Sequence, residues 1–180
     1  MQAWHWALLL GIIMLWKGLF LLAAPEAAAH MAKGFARHVW CGRVLATLAW
    51  AWAGWALYVM PLELIDPVRK WIPLLILAAI PLSWIWMSDL LGCRAVGALL
   101  VLFPSPLLLV TRFHPSPWRL AAVIFTYIAI VAGMVLILYP YHMRDALAWF
   151  AARPARLRAS GIALLALGAF FLVLGVVVLR

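Results

Sequence analysis

Six stretches of 17–21 residues carry almost no charge, and basic or proline-bearing connections separate them. They run from Trp4 to Ala24, Val44 to Met60, Trp71 to Met87, Leu90 to Val110, Leu120 to Tyr139 and Gly161 to Leu179. A helix needs roughly 20 apolar residues to cross the hydrocarbon of a bilayer, so the pattern predicts a set of membrane-crossing helices rather than a globule around one core. The connections leave no room for a soluble domain. Of the 180 residues 69% are hydrophobic and 11% charged, at a mean hydropathy of +1.11, whereas soluble domains hold about 25% charged residues. A water-soluble monomer is excluded. The predicted fold class is all-α: a polytopic membrane bundle of about six transmembrane helices in three hairpins, residues 1–60, 61–119 and 120–180.

The first run is read as a retained helix. Ala-Pro-Glu-Ala-Ala-Ala follows it, but the opening Met-Gln-Ala-Trp-His-Trp lacks the basic start of a secretory signal. The fourth run holds Phe103-Pro-Ser-Pro106, and two prolines this close remove backbone donors, so it is either a kinked span or a re-entrant element. Basic residues decide between them. With six spans, Lys33, Arg37, Arg43, Arg94, Arg144, Arg153, Arg156 and Arg158 share one side, and Arg69, Lys70, Arg112, Arg119 and Arg180 the other. The first side is then cytoplasmic and both termini lie on the non-cytoplasmic side; a re-entrant fourth run would place the heaviest basic segment outside. The same orientation rule, with attraction to anionic lipid, accounts for the net charge of +9 without nucleic acid. A bacterial inner membrane fits the compact hairpins.

Two connections are patterned as interfacial amphipathic helices. In residues 25–40, His30, Lys33 and Arg37 recur at i, i+3, i+7 beside a separate stripe of Met31, Phe35 and Val39. Residues 141–154 repeat the design, with Met143, Leu147 and Phe150 apolar and Arg144 polar. Lys33, Arg37, Arg144 and Arg153 are the expected contacts to anionic lipid. The first and last hairpins also share spacing: Gly18 precedes Pro25 by seven residues and Gly133 precedes Pro140 by seven. That is the spacing of a parallel duplication, although low-complexity apolar sequence gives the same match by chance.

Little of the chain points to chemistry. Lys17 is the one charge well inside a run; it either snorkels to the nearby interface or serves as a functional counter-charge. Asp66, Asp89, Asp145, Glu26 and Glu63 all fall in connections, so no carboxylate pair or nucleophile–base set lies within a run, and the chain reads as non-catalytic. His5, His30, His38, His114 and His142 are too scattered for haem or a metal set, and Cys41 and Cys93 read as free thiols; no cofactor is expected.

The stronger signals concern packing. Gly161, Gly168 and Gly175 recur every seven residues, as do Gly11 and Gly18, and small residues on one face let helix backbones approach closely. Trp50, Trp52 and Trp55 point in three directions from one helix, so part of that aromatic surface faces lipid or another chain. The expected function is a non-catalytic accessory or structural subunit packed against other membrane subunits and lipid. The alternative is a small-solute or ion transporter or channel whose path is lined by Lys17 and the Pro104/Pro106 break.

Overall fold

The computed structural model describes residues 3–35, 38–60, 66–87, 90–111 and 118–178, and among these residues the fold is all-helical. In chain order the helices are α1 (Ala3–Ala23), α2 (Pro25–Phe35), α3 (Val39–Val59), α4 (Asp66–Arg69), α5 (Ile72–Trp86), α6 (Leu91–Leu102), α7 (Pro104–Thr111), α8 (Arg119–Leu138), α9 (Tyr141–Ala151) and α10 (Pro154–Val173). A π turn, Leu174–Val178, extends α10. Three helices, Trp4–Ala23, Arg119–Leu138 and Pro154–Val176, are long and apolar enough to cross a membrane. Ile72–Trp86 and Leu91–Pro106 are shorter apolar helices.

Two boundaries depart from the sequence expectation. The first amphipathic helix stops at Phe35 rather than Trp40, because His38 starts a new helix: its Nδ1 accepts the Cys41 amide at 3.2 Å, which makes it the N-cap of α3. Val39 and Trp40 therefore belong to α3. The last helix begins at Pro154, seven residues before Gly161, since proline suits a first helical turn and Arg153 is extended.

Small residues bring the helices together. α1 lies against α10, α8 against α6, and α3 against both α5 and α6. The arms joined through α2 and through α9 are not the closest pairs. An 11-residue connecting helix is about 16 Å long and holds those arms apart. α2 and α9 instead pack on each other at one end of the bundle. Two clusters of buried residues anchor the interior. Ala7, Ala122, Phe171 and Leu174 unite α1, α8, α10 and the π turn, with Phe171 edge-on to Phe125 at 4.8 Å. Ala46, Leu91 and Ala95 join α3 and α6, with Trp84 of α5 packed against them.

The proline break leaves the fourth run continuous. Phe103 keeps right-handed helical dihedrals and its amide reaches the Leu99 carbonyl at 2.8 Å, so α6 passes into α7 through a single intervening residue. Both pieces pack on α8. The geometry is that of a continuous helical rod. Two buried hydroxyls satisfy themselves locally: Thr126 donates to Ala122 O at 2.7 Å and Ser83 to Ile80 O at 2.7 Å. At the α5–α6 corner Leu90 adopts φ 56°, a left-handed conformation that costs a branched residue about 1–2 kcal/mol.

Candidate functional site

The glycines singled out by spacing meet across α1 and α10. A Cβ built on Gly18 would lie 2.8 Å from the Gly161 carbonyl oxygen, and one on Gly11 would lie 3.0 Å from Gly168 O. Gly175 faces Ala7 and Leu8. A period of seven on each of two antiparallel helices brings glycine to glycine twice along one seam. Gly97 of α6 and Gly133 of α8 form a comparable contact, and Gly42 of α3 abuts Gly92 of α6. The sequence reading did not pair these four, since Gly92 and Gly97 share one run, Gly133 stands alone in another and Gly42 precedes its run.

The remaining predicted residues do not converge. Lys17 is exposed on α1 next to Trp16, itself 73% exposed, and lines neither of the two cavities described below. Pro104, by contrast, is buried. Trp52 turns inward onto Phe103, which also meets Trp6 of α1; Trp55 is 70% exposed; Trp50 lines a cavity. Lys33 is exposed on α2, Arg153 is exposed at the start of α10, and Arg144 forms an ion pair with Asp145 at 2.9 Å. Arg37, Glu63, Asp89 and His114 lie outside the described residues. Among the described residues no three His, Cys, Asp or Glu side chains gather as a metal set.

The most distinctive site surrounds Arg94, which the sequence reading used only to set orientation. A cavity of about 180 Å³ lies between α3, α5 and α6, with Ile137 of α8 at its border. Ala46, Ala49 and Ala53 form one wall and Ala95, Ala98 and Leu102 another. Both sets follow i, i+3 or i+4, i+7, so each helix presents a smooth strip. Polar atoms gather at one level: Arg94 and Ser83 line the cavity, and Trp84 follows Ser83 in α5. The Nε of Arg94 and the Nε1 of Trp84 are buried with no hydrogen-bond partner. Arg43 lies 5.6 Å from the Trp84 ring centroid and 5.5 Å from that of Trp40, and it adds a second positive charge at this end. The signal available in the sequence was an arginine one turn inside an apolar run beside a small-residue strip.

A second, more open cavity of about 420 Å³ is lined by Gly54, Trp55 and Tyr58 of α3 and by Ile72, Ile76 and Ile80 of α5. It holds no charged group. No family model, curated protein or solved structure matches this chain.

Proposed function

We propose that the chain is a six-crossing, non-catalytic integral membrane subunit that packs against partner subunits and lipid in a larger assembly. The observation that carries this reading is the contrast between its two kinds of helix surface. Inside, backbones meet at Gly11/Gly168, Gly18/Gly161 and Gly97/Gly133, leaving no room for a Cβ at these positions without displacing the facing helix. Outside, α5 packs principally on α3 and leaves Leu74, Leu75, Leu77, Leu82, Ile85 and Trp86 exposed. Lipid or a partner helix suits such a wall equally in polarity, but an apolar helix held on one side gains packing only from a neighbour. Lys17 is exposed and Pro104 is buried, so a transport path lined by both has less support.

In this reading α1, α3, α5, the α6–α7 rod, α8 and α10 cross the membrane as three open hairpins. α2 and α9 rest at the cytoplasmic interface, where Lys33, Arg144 and Arg153 meet anionic lipid head groups, and both termini lie on the opposite side, as in a bacterial inner membrane. Cysteine accessibility in a variant lacking Cys41 and Cys93 tests this placement. Gly34→Cys should label from one side, and Lys70→Cys and Trp118→Cys from the other. Labelling of all three from the same side would refute the crossing pattern.

The subunit assignment is tested by purification at native level in mild detergent, with cross-linking and mass spectrometry. The expected result is a stoichiometric larger partner that is lost when Leu77, Ile85 and Trp86 are changed together to Ala. A clean monomer or homo-oligomer would overturn it.

A further inference from the structure

We propose that the cavity between α3, α5 and α6 is a binding slot for an anionic phospholipid, with the phosphate at Arg94 and one acyl chain along the alanine walls. This site is separate from the basic faces of α2 and α9. It rests on the membrane placement proposed above.

The charge calls for an anion. Among the described residues no carboxylate, carbonyl or hydroxyl accepts from Arg94, and its Nε is sealed from solvent. An arginine cannot shed its proton to relieve burial, so a half-buried guanidinium with its Nε sealed and unpaired beside an apolar cavity carries a desolvation cost that a counter-ion would offset. The carboxylates whose side chains are described do not supply one: Asp145 is engaged by Arg144, and Glu26 lies on α2. Arg43, held over Trp84, adds to the positive potential of the same helix ends. Phosphate suits this arrangement because a planar guanidinium pairs with it through two parallel N–H donors.

The shape calls for a chain. Arg94 is the one charged residue in the lining, and from Arg94 to Leu102 the cavity follows α6 for about 12 Å between strips of alanine. A sugar or nucleotide would leave its hydroxyls and ring nitrogens unpaired against Ala49, Ala53 and Ala98, each at a cost of about 1–3 kcal/mol. An acyl chain leaves none. The alanines also explain why the slot exists, since leucine at Ala49 or Ala98 would fill it.

The test uses the full chain in mild detergent and native mass spectrometry, with dioleoyl-phosphatidylglycerol, dioleoyl-phosphatidylcholine and inorganic phosphate as separate probes. One phosphatidylglycerol is expected to be retained in preference to phosphatidylcholine, and phosphate alone is not expected to bind. Arg94→Gln should remove that preference by at least about tenfold, since a charge-assisted hydrogen bond contributes roughly 1.5–3 kcal/mol. Ala98→Leu should expel the lipid while keeping the guanidinium, and Lys33→Gln should change neither result. Should Arg94→Gln fail to fold, Ala98→Leu alone decides. Equal retention of both lipids, or an unchanged preference in Arg94→Gln or Ala98→Leu, would overturn the slot; binding of phosphate alone would show an anion site without a chain. Cysteine accessibility reads the membrane placement separately, so failure here leaves that reading standing.

Discussion

Gly97 of α6 and Gly133 of α8 press their backbones together so closely that a Cβ on Gly133 would lie 2.6 Å from the Gly97 carbonyl oxygen. The obstacle is backbone, which cannot turn aside as a flexible side chain can. Gly133→Ala should therefore separate α6 from α8 and destabilise the protein by about 1–3 kcal/mol, read as unfolding in mixed detergent. Gly34→Ala is the matched control: nothing lies within 4 Å of its Cβ position, and in a helix alanine is favoured over glycine by up to about 1 kcal/mol.

The seam between α1 and α10 should show coupling. Gly18→Ala and Gly161→Ala each intrude on the other residue's carbonyl, at 2.8 and 3.0 Å. Once either methyl has pushed the helices apart, the second finds more room. The double variant should cost less than the sum of the singles by about 0.5 kcal/mol or more, and a double-mutant cycle on unfolding measures it. Strict additivity would mean that the two contacts yield independently.

Lys17 faces outward, so its removal should matter little. Lys17→Leu is expected to change stability by no more than about 0.5 kcal/mol, the range for surface positions without partners. A loss above about 2 kcal/mol in the same unfolding assay would reveal an interior role and revive a transport path.

The α9–α10 corner depends on Arg156, whose guanidinium sits 4.0 Å from the Trp149 ring centroid and donates to Trp149 O at 2.9 Å. Lysine keeps the charge but not the planar stack, so Arg156→Lys should loosen this junction. Amide hydrogen exchange at the junction, from Ala151 to Leu157, should become faster. An unchanged exchange rate would mean that Pro154 and the burial of Leu157 alone fix the corner.

Much of the architecture was legible in residue order because it depends on local properties. Apolar runs mark helices, prolines at 25 and 154 stand at the start of two of them, and the period of seven in Gly11, Gly18, Gly161, Gly168 and Gly175 puts small residues near one face of each helix. The capping role of His38 was not legible, since histidine is rarely chosen for it and only the backbone turn at 38–41 makes Nδ1 an acceptor. Gly97 and Gly133 also carry no mark of their partnership, because neither belongs to a period of seven that would set it on a glycine face.

Sequence alone determined that the chain is helical, that its runs are long and apolar enough to cross a membrane, and that basic segments separate them, because helix length, hydropathy and charge spacing are properties of neighbours along the chain. Tertiary structure decided which helix meets which: α10 rather than α3 beside α1, Lys17 on the outside, and Arg94 at the head of an alanine-walled slot. Those pairings depend on how closely backbones far apart in sequence can approach, and glycine and alanine permit such contacts without naming the partner.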